Sequence, residues 1–499
     1  MTTKYFRESL EAARRVGTPI ICIRTTDPAS AMNQYEATFS SPEKLAARPI
    51  MRFDYLSGVT GRNPKGAAEA KRNFDKTQNV EDVLIKAQNM VEKSILYFLN
   101  PQRIWEQPPV SQGIWNLRDS FKATHRVLVL ITTIGATLPP EIVNDVLIFD
   151  EPLPSTDELK GLLSEAVASY KASIPEATIT YPQPAEEAKI MDALIGLPAF
   201  TSDQVLAMSM NDTGVDAQRL WERKKTAVEQ TPGLSVWRGG DTFADVGGCI
   251  GIKHFLSAML KGKEAPRLIV FVDEIEKALA GTGTDLSGIK SEITGCILSW
   301  LQDHEADGIT LIGPPGTAKS AICKAAGSTA GIPTVACDIA AMQSGIVGST
   351  GERLRSALAI IDAISQGRSL WIATCNSIVN LPPELRRRFP STFFFDLPSE
   401  EERDLIWEIY MTKWGLTGQR PDDAGWTGAE IKECCRKSYR LGISLLESGK
   451  FIVPVSVSAK DQIDRLRKEA SGKFLDAGKP GIYEFVEQPP AKRRKFANS

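Results

Sequence analysis

The sequence predicts an α/β protein built as two tandem modules, each a mostly parallel sheet covered by helices and followed by a small helical lid. Three observations predict it. Apolar runs of strand length alternate with helical stretches, the pattern of a parallel sheet buried on both faces. A long ordered series of elements occurs twice in the chain. And 499 residues are too many for one compact core.

The repeat is the most specific of the three. Val127-Leu-Val-Leu-Ile131 leads through Thr132-Thr133 to Leu138-Pro-Pro-Glu-Ile142, then Val146-Leu-Ile-Phe-Asp150 and Leu153-Pro-Ser155. Downstream, Leu370-Trp-Ile-Ala-Thr374 leads to Leu381-Pro-Pro-Glu-Leu385, then Phe393-Phe-Phe-Asp396 and Leu397-Pro-Ser399. Both copies read as strand, loop, short helix, strand, helix. In the first module Pro19–Ile23 and Ile95–Leu99 are further strand-length runs, and residues 156 to about 230 read as polar helices. After the second module, Ser399–Trp414 and Gly428–Leu446 read as another helical stretch.

Hydrophobic content of 42% and charged content of 24% are those of an ordinary globular chain. A net charge of -2 gives no overall footprint for nucleic acid. The one basic run, Lys492-Arg-Arg-Lys495, reads as part of a solvated tail. No apolar run approaches the roughly 20 residues of a membrane span. The N-terminus reads as a short amphipathic helix without the apolar core of a signal peptide. Eight cysteines without a CxxC pair and three scattered histidines argue against a zinc site and against a histidine-based triad, and indicate a cytoplasmic protein with reduced thiols.

Chemistry enters at Gly313-Pro314-Pro315-Gly316-Thr317-Ala318-Lys319-Ser320. The run lies between the buried-strand pattern Ile309–Ile312 and a helix bounded by Gly331, the context that gives a phosphate-binding loop its meaning. Glycines let backbone N–H groups curl round a phosphate, and the helix N-terminus adds partial positive charge. Lys319 is expected on the β- and γ-phosphates of ATP and Ser320 on Mg2+. Ala318 stands where the general pattern has glycine, a methyl group of intrusion that is read as tolerated.

A second feature is out of its usual place. Leu268–Val272 runs into Asp273-Glu274, the pattern in which the aspartate holds the Mg2+ hydration shell and the glutamate polarises the attacking water. This strand ordinarily follows the phosphate loop; here it precedes it, and no other strand between Thr334–Cys337 and Leu370 ends in an acidic pair. Either the pair is incidental or the strands are reordered with the site kept. Ligands of open parallel sheets bind at the carboxyl ends of the strands, which favours the second reading, because all the relevant loops would then share one edge.

By these residues the chain resembles the AAA+ superfamily, and within it the AAA branch; the matching segments span about residues 240–445. Thr242–Gly248 looks like the segment that contacts adenine, with Asp245, Val246 and Gly247 as its contacts. Trp371–Asn376 looks like the strand whose asparagine, Asn376, positions the water or γ-phosphate. Leu385–Phe389 looks like the element whose arginines, Arg386 and Arg387, reach the γ-phosphate of a neighbouring subunit. Trp426–Ile431 looks like the start of the lid helix, with Gly428 and Ala429 against the nucleotide. The layout is similar to tandem AAA proteins of cyanobacterial, plastid and phage type. In those the first module is degenerate, and here neither Arg24–Pro28 nor Asn100–Arg103 carries the chemistry.

The resemblance implies two tandem P-loop-type modules. Residues 1–160 form the degenerate one, 161–238 its lid and linker, 239–397 the active core with reordered strands, 398–487 the second lid and C-terminal helix, and 488–499 a disordered basic tail. It implies ATP and Mg2+ as cofactors and a homo-oligomer, a hexameric ring, with arginines acting in trans. Ala341–Gly348 corresponds to a pore loop with Ile346 and Val347 at the position where threading enzymes carry an aromatic. The expected function is an ATPase that remodels a protein partner. A nucleotide-gated scaffold with slow turnover is the alternative; a nucleic-acid motor is disfavoured by the charge balance.

Overall fold

The computed structural model describes residues 3–276, 287–304, 307–342, 349–376 and 383–485. The chain divides into two compact units, Met1–Pro232 with Gly345–Ile364, and Gly233–Ser344 with Ser365–Ser499.

The first unit holds β1 (Ile20–Arg24), β2 (Ile50–Asp54), β3 (Gly58–Gly61), β4 (Ile95–Leu99), β5 (Val127–Thr132) and β6 (Leu147–Asp150). They lie in the order β3-β2-β4-β5-β1-β6, all parallel except β3, which runs antiparallel along β2. Successive side chains of a strand point to opposite faces. Ile20, Cys22, Leu128 and Leu130 accordingly join one core, and Ile21, Ile23, Val129 and Ile131 the other. That double burial is why these strands read as unbroken apolar runs.

Four helices follow, Thr156–Ser173, Pro184–Leu194, Ala199–Ser209 and Ala217–Glu229, with the small hairpin β7 (Met210–Asn211) and β8 (Gly214–Val215) among them. They close on a core of their own around Leu159, Leu163, Ile190, Leu194 and Leu206. Buried Lys224 ties the bundle by donating to Asp192 O and Ile195 O at 2.9 and 2.7 Å.

Helix Ser349–Ser365, apart from its last residue, also falls in the first unit, although its sequence lies between strands of the second sheet. The Thr133 hydroxyl donates to Glu352 at 2.8 Å and Ser356 donates to Ile134 O at 2.8 Å. Gly135, at φ +95°, leaves no room for a side chain here, since a Cβ would come within 2.7 Å of Glu352 O.

The second unit holds β9 (Leu234–Trp237), β10 (Leu268–Val272), β11 (Asp307–Ile312), β12 (Thr334–Cys337), β13 (Ser369–Cys375), β14 (Ser391–Phe394) and β15 (Leu475–Asp476). Their order is β15-β14-β11-β13-β10-β12-β9, with only β9 antiparallel to its neighbour. The parallel core of the first sheet, β6-β1-β5-β4-β2, has its counterpart here in β14-β11-β13-β10-β12. The repeated sequence series fits in its strands, because β5 and β6 stand where β13 and β14 stand, but the short helix expected at Leu138–Ile142 does not form: residues 140–145 are turns. The two sheets differ in chain order: β4 follows β1 in the first, whereas β10, at the corresponding place, precedes β11.

A helical subdomain of Glu400–Trp414, Gly428–Leu441 and Leu445–Gly449 packs around Trp407, Trp426, Ile431 and Cys435. Each of these helices starts at a capping box (Ser399 with Glu402, Thr427 with Glu430, Ser444 with Glu447), in which two otherwise orphaned backbone donors are satisfied reciprocally.

Candidate active site

The loop after β11 is shaped by two glycines. A Cβ on Gly313 (φ +156°) would lie 2.2 Å from Phe395 O, and one on Gly316 (φ +83°) 2.9 Å from the Thr427 hydroxyl. Thr317 donates its hydroxyl to Pro314 O at 2.9 Å. Ala318 begins the helix Lys319–Ala330 from a left-handed backbone, φ +70° and ψ 12°. The cost of this alanine thus lies less in the bulk of its methyl group than in the backbone angle, which disfavours any residue with a Cβ.

Lys319 is buried at 7% exposure, and its ammonium donates to Gly313 O and Pro314 O at 2.7 and 2.8 Å. Burial pulls its pKa down to about 8, against the opposing pull of Glu276, Asp273 and Glu274. The cradle without side chains, the exposed N–H groups of a helix start and a buried cation together fit a phosphate chain.

The acidic pair meets this loop from β10. Ser320 Oγ donates to Asp273 at 3.1 and 3.3 Å. β13 lies between the two strands, with Val272 opposite Ala373 and Leu311 opposite Thr374. Thr374 therefore stands at the junction: its hydroxyl donates to Asp273 Oδ1 at 2.5 Å and accepts the Glu274 N–H at 2.9 Å. Glu274 is held at φ +47°, a strained angle for a residue with a side chain. Asn376, past the end of β13, donates its amide to Glu274 Oε1 at 3.1 Å, and its backbone N–H goes to Glu276 Oε1 at 2.9 Å.

These groups open into a cleft of about 350 Å³ lined by Asp245, Val246, Gly247, Asp273, Glu274, Pro315, Gly316, Ala318, Lys319, Ser320, Asn376, Gly428 and Ala429. Gly313, Pro314 and Thr317 are buried beneath it. The Asp245 carboxylate turns back to the Thr242 N–H and hydroxyl at 2.7 and 2.8 Å, which lowers its pKa. The Ala429 N–H donates to Gly316 O at 3.2 Å and so ties the lid helix to the loop. Arg386 and Arg387 are exposed on the helix Pro383–Arg388 and do not line the cleft. Ile346 and Val347 lie outside the described residues.

Sequence reasoning missed Thr374, Glu276, Ile406, Tyr410 and Lys432. Thr374 sits inside the Trp371–Asn376 segment and Glu276 two residues beyond the acidic pair, and strand register gives them their partners. The last three reach the cleft from the helical subdomain, and nothing in their local sequence signals it.

The corresponding place in the first unit is built differently. Asp27 caps the helix Pro28–Glu36 by accepting from Ala29 N and Ser30 N at 3.1 and 3.0 Å. Glu151, after β6, accepts from the Thr25 hydroxyl and from Ser30 Oγ, and burial raises its pKa. A carboxylate thus caps the helix start here, whereas no side chain caps the helix Lys319–Ala330 of the second unit.

Residues 6–151 match a family model described as the N-terminal domain of SpoVK-like AAA ATPases. The chain is 22% identical over 497 residues to the uncharacterized AAA domain-containing protein ycf46 of Guillardia theta, covering 87% of this chain and 89% of that protein. The protein of the same name from Pyropia yezoensis is 25% identical, over 84% of this chain and 89% of its own length. That from Gracilaria tenuistipitata var. liui is 31% identical over 175 residues, 25% of this chain and 36% of its own. These matches support an AAA+ ATPase. The family model covers the strands of the first sheet, β1–β6, and does not reach the Gly313–Ser320 loop of the second unit. Among the described residues no helix is long and apolar enough to cross a membrane.

Proposed function

We propose that the protein binds ATP with Mg2+ in the second unit and hydrolyses it, and that a hexameric ring of subunits uses the cycle to remodel a protein partner. One observation carries the reading: Ser320 of the phosphate loop and Asp273 of β10 are hydrogen-bonded although the chain order of their strands is inverted, and Thr374 joins Asp273 to Glu274. Such an arrangement supports the reordered-strand reading over an incidental acidic pair.

Lys319, Gly316 and the helix start would bind the phosphates, and Val246 and Gly247 the base. Ser320 and, through water, Asp273 would hold Mg2+. Held there, Mg2+ would supply positive charge against the charge developing on the phosphates. Glu274 orients and polarises the attacking water, and Asn376 fixes the Glu274 carboxylate. Exposed Arg386 and Arg387 serve a neighbouring subunit's site; an arginine supplied in trans stabilises the charge on the transferring phosphoryl group. The first unit, its helix start already capped by Asp27, binds no nucleotide.

Lys319→Ala should abolish ATP binding and turnover by the full-length protein. In mixed oligomers, Arg386→Ala/Arg387→Ala subunits should silence wild-type neighbours out of proportion to their share. A turnover that falls only linearly with the mutant fraction refutes the role in trans.

A further inference from the structure

Glu276 has no part in the reaction scheme above, and its placement demands one. It is a carboxylate at 7% exposure, three residues beyond Asp273. One oxygen accepts the backbone N–H of Asn376 at 2.9 Å; the other is buried and meets no hydrogen-bond partner among the described residues. A buried charged group is costly unless its surroundings use it. Of the carboxylates that act on the Lys319 ammonium, Glu276 has the strongest influence.

Asn376 explains the use. β13 ends at Cys375, so the Asn376 N–H has left the sheet ladder. Glu276 takes that N–H, and the Asn376 amide then reaches Glu274 Oε1 at 3.1 Å. Together with the two Thr374 bonds, the turn Asp273–Glu276 is stitched to the end of β13 at three successive points. Losing the last stitch frees the asparagine backbone while the phosphate loop and Lys319 keep their own hydrogen bonds.

We propose that Glu276 is a positioning residue for ATP hydrolysis: it pins the backbone of Asn376 at the orientation from which the asparagine amide holds the Glu274 carboxylate. The proposal rests on the assignment of Asp273 and Glu274 as the hydrolytic pair.

The test compares Glu276→Ala, Glu276→Gln, Asn376→Ala, the Glu276→Ala/Asn376→Ala double variant and Glu274→Gln in the full-length protein. It reads turnover, affinity for a fluorescent ATP analogue and melting temperature. Glu276→Ala should lower kcat about 10- to 100-fold, the scale of a displaced catalytic group, with nucleotide affinity within about threefold of wild type. Because Glu276 acts through Asn376, adding Glu276→Ala to Asn376→Ala should cost nothing more. Glu276→Gln keeps an oxygen for the N–H and should restore kcat to within about threefold of wild type. Losses that multiply in the double variant overturn the proposal. So does affinity that falls in step with kcat, or a glutamine variant as slow as the alanine one. Glu274→Gln at the wild-type rate overturns the hydrolytic pair itself; an inactive Glu274→Gln beside a wild-type Glu276→Ala overturns the role of Glu276 alone.

Discussion

Replacing Thr374 by valine removes one hydroxyl and almost no volume, yet that hydroxyl ties the end of β13 to both members of the acidic pair. It lies at 1% exposure, donates to Asp273 Oδ1 at 2.5 Å and accepts the Glu274 N–H at 2.9 Å. A hydrogen bond to a charged group is worth about 1.5–3 kcal/mol, and leaving a buried N–H unsatisfied costs about 1–3 kcal/mol. Since both effects fall on one pair of partners they do not add in full, and the expected loss is about 3 kcal/mol. For a unit of this size that lowers the melting temperature by roughly 6–12 °C. With Asp273 and Glu274 both released, kcat should fall about 100-fold. Thr374→Ser keeps the hydroxyl and forfeits one methyl, about 0.8 kcal/mol, and should retain turnover. The assay is calorimetry alongside steady-state phosphate release. A valine variant that melts within 2 °C of wild type, on the scale set by about 1 kcal/mol or less, and turns over normally refutes the junction.

Two further outcomes follow from the loop. Ala318→Gly relieves a left-handed angle that costs about 1–2 kcal/mol, partly offset by the entropy of the unfolded glycine, and should raise stability by about 0.5–1 kcal/mol in denaturant titration. A loss of stability would show that the alanine methyl earns more in packing than the angle costs. Lys319 titrates near 8 in the folded chain because it is buried, against about 10.4 when exposed. Between these values the unfolded chain binds more protons, so this group's contribution makes stability rise with pH across that window, while below about 8 it opposes folding. ATP affinity should move the other way, weakening as pH rises through about 8 and the ammonium is lost. A flat affinity between pH 7 and about 9.5 contradicts a buried, phosphate-bound Lys319.

Much of this was legible because its signals are local. Gly313–Ser320 is contiguous, and the strand before it and helix after it are each written in a few residues. Helix starts were marked by Ser399, Thr427 and Ser444 with a glutamate three residues on, so the helical stretches coincide with the expected ones to within a few residues. The place of β10 was not local. An acidic pair after an apolar run looks the same whether or not it meets a phosphate loop, and only the order β11-β13-β10 brings Asp273 to Ser320. Thr374 and Glu276 escaped notice for the same reason: their partners lie 100 to 101 residues away and are set by register between β10 and β13. Tyr410 and Lys432 come from the helical subdomain, whose docking on the loop depends on Thr427 and Ala429 closing over Gly316.

The central claim is that an acidic pair preceding the phosphate loop in the chain performs the hydrolysis. Glu274→Gln tests it most directly, because the amide preserves the shape of the side chain and removes its capacity to polarise water. Measured on the purified full-length protein, ATP affinity should stay at the wild-type value while turnover falls at least about 100-fold. A glutamine variant that hydrolyses ATP at the wild-type rate, when Lys319→Ala does not, would contradict the account.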